Sequence, residues 1–165
     1  MSQNKNTMLF HSLAKLHTHA PLNEITIAEL TTDAGVSRMY FYRHFNTYTD
    51  IIDQHIENLV TDFMRVVRKH ADSIESTATL FFKVLVPDAK AFGIFLAHDE
   101  SNHIQHDFEL GLQRLLDQNL IQGQHDPYWQ AFTAGGLSRV ITVWLSKSEP
   151  ETPMQMGAKI AAIVR

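Results

Sequence analysis

Residues 25–45, ITIAELTTDAGVSRMYFYRHF, carry two helix-start signatures separated by one glycine, and their reading decides the fold. Thr26 followed by Glu29 is a capping box, in which the hydroxyl accepts from the N3 amide and the carboxylate accepts from the cap amide. Ile25 before the cap and Leu30 five residues on stand at the spacing of a hydrophobic staple. A first helix therefore starts at about Thr26. Gly35 supplies the left-handed backbone that ends a helix without a Cβ clash. Ser37 then caps a second helix, and Val36 with Phe41 repeats the staple. The stretch predicts helix, tight turn, helix.

Helical geometry sets which side of the second helix is free. At about 100° per residue, Phe41 and Phe45 share one face, Met39, Tyr42 and Arg43 lie roughly opposite, and Tyr40 sits at the flank. The phenylalanines turn inward, so an aromatic and basic face is left to solvent. Tyrosine and arginine donate to phosphate oxygens, methionine and tyrosine pack on a thymine methyl, and a helix N-terminus attracts phosphate. This combination points to a DNA-reading helix-turn-helix.

With ITIAEL, AGVSRMYFYRHF and the helix start Asp50-Ile51-Ile52 in view, residues 8–60 resemble the TetR/AcrR family of transcriptional regulators. The resemblance implies a three-helix DNA-binding domain, a fourth helix leading into an all-helical regulatory body, and a homodimer. Carried over residue by residue, it implies that Thr26, Ser37, Tyr42 and His44 touch phosphates while Arg38, Met39 and Tyr40 face the bases; Arg43 joins them on the solvent face. Two positions depart from the family pattern. Tyr40 stands where relatives carry a small residue. Thr47-Tyr48-Thr49 lacks the customary lysine, for which Tyr48 offers a neutral donor.

Charge gives DNA binding little bulk support. Residues 1–50 hold Lys5, Lys15, Arg38 and Arg43 against Glu24, Glu29, Asp33 and Asp50, and the net charge of −4 falls on the remainder. Affinity is then expected from hydrogen bonds, shape and dimerisation, with a modest salt dependence per protomer. His11, His17, His19 and His44 also lie in this half, and their protonation is expected to add positive charge toward DNA.

Composition bounds the rest. The 165 residues fit one compact chain, and 44% hydrophobic residues suffice for a core. The absence of cysteine excludes disulfides and thiolate metal sites and suits a cytoplasmic setting. No basic-then-apolar leader and no apolar run of membrane-spanning length is seen, so neither secretion nor membrane insertion is expected. No phosphate loop, nucleophile elbow or metalloprotease motif occurs, so no enzyme activity and no cofactor are expected. His98-Asp99-Glu100 precedes His103 and His106, which share a helix face at i,i+3, but without cysteines, a second histidine pair or a recognised motif no metal site is assigned.

Periodicity predicts an all-α protein. Helices are expected at about 7–18, from Thr47 toward His70, at 72–85, at 87–97, at 101–121 closed by Gly123, from Asp126-Pro127 to Ser146, and from Thr152-Pro153 to Val164, with residues 1–6 frayed. Residues 1–48 form the predicted DNA-binding domain and 49–165 a regulatory and dimerisation domain. Residues 128–145 are apolar on more than one face. A small-residue track of Ala131, Ala134, Gly135 and Ser138, continued by Ile141 and Trp144 and matched by Met156, Ile160 and Ile163, is expected to meet a second copy. Phe63, Phe81, Phe92, Phe95, Phe108, Trp129 and Phe132 are candidates to line a pocket for a small hydrophobic effector. The expected function is a ligand-responsive repressor, homodimeric on a palindromic operator. The alternative is a co-regulator of the same fold that works through a protein partner.

Overall fold

The computed structural model describes residues 2–70, 73–98, 101–120 and 126–164, which form nine α-helices and no strand. They are α1 (Ser2–His17), α2 (Ile27–Asp33), α3 (Arg38–His44), α4 (Thr49–His70), α5 (Ile74–Leu85), α6 (Ala89–Leu96), α7 (Ser101–Asp117), α8 (Pro127–Leu145) and α9 (Pro153–Ile163), with short 3₁₀ turns at Leu22–Glu24 and Val86–Asp88. No described helix is long and apolar enough to cross a membrane.

Side-chain caps account for most helix starts. Asp126 accepts from the Trp129 amide at 2.8 Å, with Pro127 in the first turn where its missing N–H costs nothing. Thr152 and Gln155 close a reciprocal box at α9, as Ser73 and Ser76 do at α5. Two ends differ from the sequence-based expectation. Helix α7 stops at Asp117 because Asn119 takes the left-handed conformation (φ 54°) and the Leu120 amide donates back to Leu115, while Gly123 lies outside the described residues. Helix α1 begins at Ser2 rather than near residue 7. Its polar first turns are held by a buried Asn6 whose side-chain oxygen accepts from the Tyr40 hydroxyl at 2.7 Å.

One apolar core runs from α1 to α9. Phe10 of α1 is fully buried, stacks on the His55 ring of α4 at 3.8 Å, and meets Phe92 and Phe95 of α6. Phe92 continues to Phe108 of α7. The three-helix head is thereby packed directly onto the body, and α4 is the element common to both. Beside this stack, Asp88 lies 2.9 Å from Nε2 of His11 on α1 and 2.9 Å from Nε2 of His55 on α4. The His55 contact has ion-pair distance without hydrogen-bond alignment.

Close helix approach organises the body. Helix α9 packs along α5, and α8 along α7. A Cβ on Gly157 of α9 would stand 2.7 Å from the Glu75 carbonyl oxygen and 2.0 Å from Thr79 Oγ1, so only glycine allows that crossing. Gly93 of α6 likewise lies against the Leu145 carbonyl of α8.

Candidate nucleic-acid interface

The two local signatures fold as their chemistry requires. Thr26 Oγ1 accepts from the Glu29 amide at 3.2 Å, and Glu29 Oε2 accepts from the Thr26 amide at 2.9 Å and from its hydroxyl at 2.6 Å. These bonds hold the Glu29 carboxyl below its ordinary value, the side-chain bond contributing most. After α2, the Val36 amide donates to the Thr31 carbonyl and the Gly35 amide to Thr32, with Gly35 at φ +64°. This 6→1 and 5→2 pair reverses the chain within three residues. Ser37 Oγ then accepts from the Tyr40 amide at 3.2 Å and starts α3.

Phe41 and Phe45 are buried beneath α3, whereas Tyr42 is 63% exposed and Met39 60% exposed. Arg38, Arg43 and His44 are exposed beside them. Among the described residues neither arginine has an ion-pair partner. By contrast, Lys15 is bound to Asp33 at 2.6 Å, which joins α1 to α2 and holds the Asp33 carboxyl down, and Lys5 lies over the Tyr40 ring. Among the lysines and arginines of residues 2–50, those left for an outside anion sit on α3.

Three residues from the sequence-based site are placed differently from expectation. Tyr48 is half-buried and its hydroxyl donates to the Ile25 carbonyl, so its proton is not available to replace the missing lysine. Tyr40 is half-buried, its hydroxyl is given to Asn6, and its ring stacks on His44 at 4.0 Å. It props α3 against α1. His44 Nδ1 lies 2.8 Å from the Tyr40 carbonyl, which puts the ring proton there and leaves Nε2 a donor only when the imidazole is charged. Of the other histidines, His17 is buried with Nδ1 against the Ala20 carbonyl and His11 is engaged by Asp88, so the four do not form a DNA-facing set.

The body departs further from expectation. Ala134, Ser138, Ile141, Trp144, Met156 and Ile160 are each at most 5% exposed within the single chain and therefore cannot meet a partner. Small residues of α8 turn inward because α7 crosses close by. What α8 and α9 present instead is Tyr128 at 85%, Phe132 at 80%, Met154 and Ile163, with Ala131 and Val143 also exposed and Gly135 between the two sides. Phe132 is thus a surface residue and no pocket wall. Trp129 is half-buried, and Phe92, Phe95 and Phe108 fill the core around Phe10.

A cavity of about 270 Å³ does open between α4, α5, α7, α8 and α9. Its apolar lining includes Phe63, Phe81, Phe82, Ile141 and Ile160, and its polar groups include Arg68, Ser73, Thr77 and Asn119. Arg68 Nη2 donates to Gln118 Oε1 at 3.0 Å on the same side. Sequence periodicity cannot reveal such a space, because the lining residues come from five helices.

The histidines of the 98–106 segment separate. His98 packs on His17 with ring centroids 4.2 Å apart, His106 is exposed, and His103 meets Asp53 of α4 and Asp107 of its own helix. Burial and the Asp53 charge push the Asp107 carboxyl up to about 6.

No family model matches the chain, and no curated protein matches it in sequence. Its fold is similar to those of solved structures. The TetR family repressor AlkX from Dietzia sp. strain DQ12-45-1b, implicated in biodegradation of n-alkanes, superposes with a TM-score of 0.56 at 17% identity, over 96% of this chain and 92% of that one. The dihydroxyacetone kinase operon activator DhaS gives 0.65 at 13% identity over 97% and 93%, and the fatty acid degradation regulator FadR from Bacillus halodurans gives 0.60 at 14% over 96% of each. At these identities the likeness is one of fold, and it spans head and body together.

Proposed function

We propose that this chain is a sequence-specific DNA-binding transcriptional regulator of the TetR type, acting in the cytoplasm as a homodimeric, ligand-responsive repressor on a palindromic operator. The observation that carries this reading is the outer face of α3, where Met39, Tyr42, Arg38 and Arg43 stand exposed on a helix pinned from behind by Phe41 and Phe45. Arginine supplies bidentate base contacts and, with Tyr42, Thr26, Ser37 and His44, phosphate contacts that set register. In this reading residues 1–48 are the reading head and 49–165 the regulatory and dimerisation body.

A neutral head needs two copies. The exposed side chains of Tyr128, Phe132, Val143, Met154 and Ile163 mark the faces of α8 and α9 that we assign to dimerisation, since large apolar side chains left in water favour burial by a partner. Pairing there would allow two α3 helices to reach successive major grooves roughly 34 Å apart. The cavity under Phe63, Phe81 and Phe82 is the assigned effector site, sized for a small, mainly apolar molecule with one polar end toward Arg68 and Asn119. It borders α4, so a ligand that binds two body states unequally would alter the spacing of the heads.

The test is selection of bound duplexes from a random DNA library by the full chain at low salt. A two-fold symmetric site is expected. Absence of any enriched sequence would overturn the reading and favour the co-regulator that works through a protein partner.

A further inference from the structure

We infer that Asp53, His103 and Asp107 form a binding site for one divalent transition-metal ion of the zinc or manganese class, clamping α4 to α7. The inference does not rest on the regulator reading, because it concerns only these three side chains and their geometry. His103 and Asp107 stand four residues apart on one face of α7, and Asp53 enters from the second turn of α4. One ligand atom from each lies within 4.8 Å of the other two. His103 Nε2 contacts Asp53 Oδ1 and lies 3.4 Å from Asp107 Oδ2. With metal–oxygen and metal–nitrogen bonds of roughly 2.0–2.2 Å, ligand atoms around one ion sit about 3–3.6 Å apart, so the site needs rotamer adjustment and no backbone movement.

The charge pattern calls for a cation larger than a proton. Two carboxylates face a single imidazole, and Asp107 Oδ2 is buried without a hydrogen-bond partner. The charge of the exposed His106 also acts on Asp107, while the guanidinium of Arg114 on the same helix is directed to Glu57 at 3.6 Å. An imidazolium would cancel one negative charge; a divalent ion accepts lone pairs from all three groups and cancels two. One imidazole with two carboxylate oxygens is a borderline-hard donor set that suits zinc, manganese and similar first-row ions over copper(I) or a cluster, which want thiolates. His103 and Asp53 are partly exposed, at 39% and 44%, so an ion has access and water can complete its coordination. The consequence is local. Bound metal ties the start of α4, just behind the head, to the body.

The experiment is calorimetric and thermal titration of the chelator-treated full chain with Zn²⁺, Mn²⁺ and Co²⁺. One ion per chain is expected, with a dissociation constant of about 10 μM or tighter for Zn²⁺ and a Tm rise of about 5 °C at roughly a hundredfold excess over it. His103→Ala and Asp107→Asn should each weaken binding by more than about 100-fold, while His106→Ala and His19→Ala leave it unchanged. Asp53→Asn, which keeps the side-chain shape, is the check against misfolding, with circular dichroism alongside. The visible spectrum of bound Co²⁺ should be lost in the same three variants. Binding weaker than about 100 μM, or binding that persists in the His103→Ala/Asp107→Asn double variant, would overturn the site and place the ions on surface histidines.

Discussion

Helix α3 and the first turns of α8 place their large and small residues in opposite ways. In α3 the phenylalanines are inside and the tyrosine and methionine outside; in α8 Ala134 and Ser138 are inside while Tyr128 and Phe132 are outside. The difference comes from what each helix packs on. Helix α3 is short and rests on a small three-helix head, where two large side chains are needed to fill the space. The first half of α8 lies along α7 with Thr133, Ala134 and Ser138 turned inward, while its last turns bury Trp144 and Leu145 near the α6 crossing. Side-chain size thus predicts burial in α3 and misleads in the first turns of α8. An aromatic residue that a helix cannot bury in its own chain is a candidate for burial by another.

The largest effect expected from this contrast is at Phe132. Phe132→Asp should leave the monomer's far-UV spectrum intact yet shift the protein from dimer to monomer in analytical ultracentrifugation, and lower operator affinity by more than about 100-fold. A dimer of unchanged stability would remove the assigned interface. Next come Tyr42→Ala and Arg38→Ala, each expected to cost about 1–3 kcal/mol, roughly 5- to 150-fold, in specific binding with unchanged Tm, read by fluorescence anisotropy. Tyr40→Ala should instead cost stability, because it frees Asn6 and uncovers α1. If Tyr40→Ala lowers affinity while Tm stays fixed, the division between recognition and support in α3 is drawn wrongly.

In the body, Gly157→Ala should destabilise by about 1–3 kcal/mol in urea, since the added methyl forces α9 away from the Glu75 carbonyl. The smallest effect is acid loss of the head caps. Glu29, Asp33 and Asp50 are all held below their ordinary values of 4.5, 3.8 and 3.8, by Thr26, Lys15 and Thr47 respectively. Because the folded values are depressed, their contribution is complete above the ordinary values and disappears as pH falls through the lowered ones. Glu151, held at about 2 by Lys159 and Lys147, gives the body a similar loss that ends at lower pH. Because Asp107, raised to about 6, gains stability on acidification and opposes this loss, the readout is the comparison of melts between about pH 5 and pH 3, in which Glu29→Gln should lose less Tm than the unsubstituted chain; equal changes would contradict the cap assignment.

How far the sequence could be read follows from the range of the interactions involved. The cap at Thr26, the left-handed Gly35, the cap at Ser37 and the inward Phe41 and Phe45 each depend on residues no more than five positions apart, and each was legible as written. Tyr40 and Tyr48 were not, because their hydroxyl acceptors, Asn6 and the Ile25 carbonyl, lie 34 and 23 residues away. His103 was legible as a histidine among others. Its partner Asp53 stands 50 residues earlier on another helix.

By itself, then, the sequence determined the helix-turn-helix and the order of α-helices, because capping, turn chemistry and 3.6-residue periodicity act over one or two turns. Only the tertiary structure decided which side of α8 is buried, which aromatics bound the cavity, and which carboxylates meet His103. Those depend on distances between helices, and no local spacing encodes them.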